Sequence, residues 1–188
     1  MIDVARAEEL LTVIVESPPG AAGCPRCGVV AASRGRREVT LIDAPSFDRP
    51  VRMIWRKRTW RCVELACSVG SFTEQDENVA KRRGLLTRRA CWWAIGQIRR
   101  EHASVAGVCR QLGTTWNTVW SAIKPLLVEM DEDPARFDGV TTLGVDEHIW
   151  HHVSTKPIAD GGRGPKELTG MVDLSRDERG RVRARLLD

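Results

Sequence analysis

The spacing of apolar residues changes character several times along the chain. Over residues 4–15 the apolar positions fall at helical spacing, and the run stops at Ser17-Pro18-Pro19-Gly20, which cannot continue a helix. A short leader helix is therefore expected within residues 1–20. From residue 24 to residue 72 the pattern alternates: EVTLID and VRMIWRKRTW are strand-like runs separated by the turn-forming APSFDRP. That pattern predicts a hairpin with a cysteine pair on either side. Beyond Asn78 helical spacing returns, with Leu85, Leu86, Ala90, Trp93, Ala94 and Ile98 on one stripe. Two more helices are expected at about residues 104–112 and 116–129, with only Gly113, Thr114 and Thr115 between them.

The stretch DEDPARFDG is acidic and broken by Pro134 and Gly139, and reads as a linker over residues 131–139. Three strand-like runs follow, TTLGVDEHIWHH, ELTGMVDL and RVRARLLD, joined by the turn-rich DGGRGPK and SRDERG. The expected class is thus α+β and multi-module. A ribbon at 21–77 precedes a helical domain at 78–130 and a three-stranded antiparallel sheet within 140–188.

Charge sharpens this division. The chain carries a formal +4 overall, but residues 24–125 hold nineteen bases against eight acids, whereas the segments on either side are net acidic. A polyanion partner, if there is one, meets the middle of the chain. No apolar run approaches the ~20 residues a membrane-spanning helix needs, and the opening residues carry acids where a secretion signal needs bases. A cytoplasmic, nucleoid-associated protein with no membrane partner is expected.

Six cysteines are too few for a disulfide scaffold in a chain of 188 residues. Cys24-Pro25-Arg26-Cys27-Gly28 is a knuckle: two thiolates on one tight turn can face the same ion, and Gly28 supplies the backbone freedom. Cys62 and Cys67 supply a second pair at the end of the hairpin. A two-stranded hairpin is marginal alone in water, so the pattern predicts a structural Zn²⁺ held by Cys24, Cys27, Cys62 and Cys67. Four ligands leave no position for a catalytic water. Cys91 and Cys109 lie on helices and are expected in the core.

SVAGVCRQLGTTWNTVWSAIKPLL has the arrangement of a helix-turn-helix. With Val119 and Ile123 facing inward, Asn117, Thr118, Ser121 and Lys124 face outward near the amino end of the second helix, where a major groove would be met. Trp116 either packs on the sugar-phosphate backbone or seats the helix. Arg56, Lys57 and Arg58 on the hairpin, and Arg88 and Arg89 at the start of the first helix, complete the expected DNA-binding set.

LGVDEHIWHH places Asp146 within an apolar-flanked strand, where a carboxylate serves a metal or a strong partner, or else points to solvent beside Glu147. On an alternating strand His148 and His152 share the face of Asp146, and His151 points away. The three histidines are read as surface or DNA-adjacent residues.

The ordered motifs CPRCG, REVTLIDAPSFDRPVRMIWRKRTWRC with its second cysteine pair and SFTE, the helix-turn-helix, and LGVDEHIW resemble the ISL-three family of insertion-sequence transposases. The resemblance runs from Cys24 onward. It implies a zinc ribbon, a DNA-binding helix-turn-helix, and the first part of a ribonuclease-H-like domain in which Asp146 is the first of three acidic residues holding Mg²⁺ for strand cleavage and transfer. It further implies double-stranded DNA at the element's terminal inverted repeats as partner, with a homo-oligomer assembled on it. The second Asp and the Glu of the family pattern have no counterpart here: Asp173 in GMVDLSRDERG matches a family acidic residue outside the three, and Asp188 closes the third strand. Whether the chain is itself an enzyme is therefore left open, and a fragment inactive alone is expected. The alternative is a truncated, catalytically inactive DNA-binding regulator or repressor. A third reading makes the ribbon a protein-contact module.

Overall fold

A computed structural model describes residues 3–7, 9–151, 156–162, 166–182 and 184–187, with backbone only at residues 150, 151, 158 and 166. It has three α-helices and two sheets, and divides into two compact units, Met1–Leu126 and Leu127–Asp188.

The first unit is built on a long hairpin, β3 (Ala32–Ser46) and β4 (Arg49–Arg61), in antiparallel register from Ala32↔Arg61 to Ser46↔Arg49. Phe47 and Asp48 form its two-residue turn with φ of 52° and 58°. Both central residues with positive φ match the twist of the flanking strands, although neither is the glycine or asparagine such turns favour. The strict alternation of β4 is what buries Val51, Met53, Trp55 and Lys57 on one face.

No leader helix forms. Residues 1–20 instead supply β1 (Asp3–Arg6) and β2 (Leu11–Val15), an antiparallel pair whose second strand runs parallel to β4, with Leu11↔Val51 and Val15↔Trp55 in register. The run LTVIV is β-branched at four of its five positions, a composition that fits a pleated surface better than a helix. An open edge on β4 lets it pair there. Glu16 then ties the segment down, accepting from Arg36 Nε at 2.6 Å and Arg58 Nη2 at 3.4 Å. Arg36 and the other arginines around Glu16 hold its carboxyl below the ordinary value against the opposing effect of burial. The ribbon is therefore no isolated hairpin. β5 (Ser71–Thr73) extends the same sheet by pairing with Thr59–Arg61, and Leu41, Met53, Trp55 and Ala80 close a core beneath it with Val15, Val39 and Val79.

Three helices follow, α1 (Arg88–Arg100), α2 (Val105–Leu112) and α3 (Trp116–Glu132), the last contributing residues 116–126 to this unit. Ala90, Ala94, Ile95, Val108, Leu112, Val119 and Ile123 are all buried, as the helical periodicity requires. Leu85 departs from the expected stripe and is exposed. It lies ahead of the helix in an extended segment whose Leu85 carbonyl accepts from Ile42 N at 2.8 Å, and Thr87 N donates back to Ile42 O at 2.9 Å.

That junction is organised by a buried carboxylate. Asp43 on β3, 1% exposed, accepts from the Thr87 hydroxyl at 2.6 Å, from the Ala44 amide at 2.9 Å and from the Arg89 guanidinium through both oxygens. Thr87 in turn caps α1, accepting from Ala90 N at 3.0 Å. Burial pushes the Asp43 carboxyl up, but the hydrogen bonds from Arg89, Thr87 and Ala44 together with the Arg89 charge outweigh it and hold the group below its ordinary value.

In the second unit β6 (Leu143–His151), β7 (Lys166–Asp173) and β8 (Arg185–Leu186) form an antiparallel sheet in the order β6-β7-β8. Register runs from Leu143↔Asp173 to His151↔Lys166 with an irregularity between Ile149 and His151. Simple alternation therefore fails just where the histidines follow, and His152 lies outside the described residues.

Candidate metal centre and nucleic-acid interface

The two cysteine pairs, separated by the whole hairpin in sequence, meet at one point. β3 and β4 start and finish side by side, so the knuckle before β3 and the loop after β4 are brought together by strand register alone. Cys24 Sγ stands 3.8 Å from Cys67 Sγ and Cys27 Sγ 3.6 Å from Cys62 Sγ, and all four sulfurs lie within 4.8 Å of one another. Four thiolates at ~2.3 Å from a common zinc would be ~3.8 Å apart along the edges of a tetrahedron. The observed pairs match that edge.

The backbone is arranged for thiolates as well. Amides of Cys27 and Arg26 donate to the Cys24 sulfur, those of Val29 and Glu64 to Cys27 and Cys62, and Val69 N reaches Cys67 Sγ at 3.5 Å. Gly28, at φ +74°, turns the knuckle so that its amide returns to the Cys24 carbonyl at 2.9 Å. The amides of Cys27 and Arg26 lower the Cys24 thiol to about 6. Cys62, despite the Glu64 amide, is pushed up to about 12 by burial and by the sulfurs of Cys27, Cys24 and Cys67. A first thiolate forms readily and the next are opposed by it, a conflict that a bound divalent cation relieves. Cys91 and Cys109 stand apart from this cluster, buried among the helices, and burial raises both thiols. They are core residues.

The helix-turn-helix is closed as sharply as its sequence suggests. Ser104 caps α2 by accepting from Gly107 N at 3.1 Å, and Gly113 ends it in the left-handed region at φ 60°. What grips the turn is not visible in the local sequence. Arg52 on β4 donates from Nη1 to Leu112 O at 3.1 Å and from Nη2 to Gly113 O at 2.6 Å, satisfying carbonyls that the end of α2 leaves open. Pro50 packs so closely that a side chain at residue 113 would meet it at 3.2 Å. Replacing Arg52 with alanine should lower the unfolding free energy of the first unit by about 1.5–3 kcal/mol, the range for hydrogen bonds to a charged group. Urea titration followed by circular dichroism would measure it, and an unchanged midpoint would mean that Arg52 does not secure the turn.

On α3 the side chains expected to read DNA are where alternation between core and solvent requires. Trp116, Asn117, Ser121 and Lys124 are exposed while Val119 and Ile123 are buried. Thr118 is half-buried, and its hydroxyl is shared with Thr115 Oγ1 at 2.8 Å in the cap of the helix. Trp116 lies against Trp120 with ring centroids 5.4 Å apart, so it helps seat the helix and still keeps an open face.

The hairpin cations behave differently. Lys57 points into the fold, 8% exposed, with Nζ 2.7 Å from Gln75 Oε1 and 4.3 Å from the Trp55 ring centroid. It falls on the inward face of the alternating strand, so its expected role at phosphate is withdrawn. Arg58 is committed to Glu16 and to the Ser17 carbonyl at 3.2 Å, and Arg56 lies 3.5 Å from Glu38. Arg88 and Arg89 are both exposed, but Arg89 is engaged by Asp43 at the junction.

Asp146 is exposed at the middle of β6, opposite Gly170. Among the described residues the cysteine quartet is the group of three or more His, Cys, Asp or Glu side chains that converges for a metal, and Asp146 belongs to no such group. Asp173 is held by Ser175, whose amide donates at 2.9 Å, and by Arg185 at 3.3 Å; the Ser175 hydrogen bonds lower its pKa. Among the described residues no helix is long and apolar enough to cross a membrane.

No curated protein and no solved structure matches the chain. Residues 78–127 match the helix-turn-helix domain of transposase family ISL3. That span starts just before the Lys81–Gly84 turn, contains α1, α2 and the exposed amino-terminal face of α3, and supports a DNA-binding role of the transposase kind. The chain thus carries, behind a convergent four-cysteine cluster, a helix-turn-helix segment similar to that of the ISL3 transposases.

Proposed function

We propose that the chain recognises the terminal inverted repeats of an insertion sequence as a zinc-containing DNA-binding protein of the transposition machinery. The reading rests on one observation above others: the exposed face of α3, with Asn117, Ser121 and Lys124 beside Trp116, projects from a helix-turn-helix whose turn is fixed by Arg52. Asn117 and Ser121 offer donors and acceptors to base edges, Lys124 a charge to phosphate. Cys24, Cys27, Cys62 and Cys67 would hold a structural Zn²⁺ whose work is to close the far end of the sheet. In the second unit, Asp146 is the first acidic ligand of a ribonuclease-H-like Mg²⁺ site in this reading; such a site supplies Lewis-acid activation of phosphodiester cleavage when complete.

A second reading makes the chain a DNA-binding regulator without strand-transfer chemistry. It is favoured by Asp146 belonging, among the described residues, to no group of three or more His, Cys, Asp or Glu side chains that could hold a metal. Incubation of the zinc-loaded chain with Mg²⁺ and repeat-containing duplex separates the two. Nicking that is lost in Asp146→Asn supports the enzyme, and binding without nicking supports the regulator.

Binding itself should weaken steeply with salt as arginines displace counterions. Asn117→Ala should reduce discrimination between the repeat and an unrelated duplex by about 1–3 kcal/mol, the worth of one good bidentate base contact. Fluorescence anisotropy at several salt concentrations measures both. Equal affinity for repeat and unrelated DNA in the unaltered protein would sink the sequence-specific reading.

A further inference from the structure

Helix α1 carries features on its solvent face that folding alone does not account for. Its sequence is RRACWWAIGQIRR, with four arginines and no acid; the first carboxylate, Glu101, comes only at the carboxyl-terminal cap. Ala90, Cys91, Ala94 and Ile95 form the buried side. The opposite side therefore presents Arg88, Arg89, Trp92, Gly96, Arg99 and Arg100 along about 18 Å of helix, at ~1.5 Å per residue.

Three of these positions run against helix stability or solubility. Arg88 puts a cation in the first turn, where the helix dipole disfavours one, and no acid stands in that turn to offset it. Trp92 leaves 42% of its surface in water. Gly96 sits in mid-helix, where glycine is poorer than alanine, yet a Cβ built on it would meet nothing within 4 Å. Among the described residues no neighbour in the fold needs that space. Arg89, the other cation of the first turn, is different in kind, because Asp43 compensates it from inside.

The three unexplained positions lie on one face, and the flanking charges say what would cover them. We infer that the solvent face of α1 is a second nucleic-acid surface, on which Arg88, Arg99 and Arg100 meet the phosphates of duplex DNA while Gly96 lets the backbone approach closely and Trp92 packs on a sugar. The surface is separate from the outward face of α3 and has no arrangement of donors and acceptors suited to base edges. It adds affinity without adding sequence preference. This assignment rests on the DNA-binding reading above and extends it to a second contact.

The test uses the full, zinc-loaded chain. Arg88→Gln, Arg99→Gln and Arg100→Gln combined should reduce the slope of log affinity against log salt by about 3, roughly one for each phosphate no longer neutralised, equally for repeat and unrelated duplexes. Removing Arg88 from the first turn relieves the helix dipole, and the thermal midpoint checks that the fold is kept. Gly96→Gln provides an independent measurement, since it leaves every charge in place and favours the helix. It should raise or preserve the thermal midpoint and yet weaken DNA binding about tenfold. An unchanged salt slope in the triple variant, with unaltered affinity in Gly96→Gln, overturns the second surface while leaving α3 as the reader. Absence of DNA binding by the unaltered protein overturns both. Displacement of DNA from α1 variants and unaltered protein alike by polyglutamate of matched charge overturns it too, because that face would then contribute no contact of its own.

Discussion

Exchanging Cys24 and Cys27 for serine should reduce bound zinc from about one ion per chain to none, the quartet being the closed type of site that needs all four thiolates. The structural consequence is expected to be local. In the smallest zinc modules the metal supplies nearly all the folding energy, but here β3 and β4 also have β2 beside them and Leu41, Met53, Trp55 and Ala80 beneath them. Amide hydrogen exchange should accelerate across residues 22–31 and 62–70 and stay slow at Leu41 and Met53. Elemental mass spectrometry on protein purified without added metal gives the first number and exchange mass spectrometry the second. Zinc retained at full stoichiometry in the double variant would exclude the four-sulfur site. Exchange spreading through the whole sheet would show that the metal, and not the apolar core, holds it.

The other large effect is expected at Asp43. Replacement by alanine removes the hydrogen bonds from Thr87, Ala44 and Arg89 together and strips the α1 cap of its support. With the Thr87 and Ala44 bonds each contributing about 0.5–1.5 kcal/mol, a loss of about 2 kcal/mol is expected. The Arg89 guanidinium, largely exposed, is rehydrated and adds little to that figure. Asp43→Asn keeps the shape and most of the hydrogen bonding, and should cost less.

Acid provides a second test of the same group. The folded-state pKa of Asp43 is lowered, so its contribution is complete above the unfolded carboxylate value of ~3.9 and is lost as pH falls below that toward the folded value. Thermal midpoints should be flat in this respect above about pH 5 and fall below about pH 4. In Asp43→Asn that portion of the acid-induced fall should be absent. Identical acid profiles for the two proteins would contradict the charge assigned to the junction.

What the amino-acid sequence made legible was local. The alternation of β4, the cysteine pairs on either side of the hairpin, Gly113 between two helices, and the inward placement of Val119 and Ile123 all depend on neighbours within a few positions. What it hid was long-range. LTVIV can be placed on a helical stripe or on a strand, and its pairing with residues 51–55, about forty positions away, decides for the strand. Asp43 looks like one more polar residue in an alternating run until Arg89 and Thr87 are brought to it. Arg52 and Lys57 share the alternating basic run VRMIWRKRTW, of which Arg56, Lys57 and Arg58 alike were expected at DNA. Strand parity puts Lys57 inside, and the turn after α2 engages Arg52. A signal for part of this was available: Thr87 stands three residues before Ala90, the first buried position of α1, where a helix cap belongs. Asp146 is the opposite case: its strand was readable, and among the described residues it joins no group of three or more metal-ligating side chains.

The clamp formed by Arg52 bears on how this helix-turn-helix can be moved between proteins. β4 runs from the helix-turn-helix junction at one end to the loop of Cys62 and Cys67 at the other, so a chimaera spliced between ribbon and helices would pair a foreign arginine with the wrong carbonyls. A transplant of the helix-turn-helix should keep its fold when residues 1–132 are moved together, so that β4 goes with the whole of α3. Moving α2 and α3 alone leaves their hinge without its keeper.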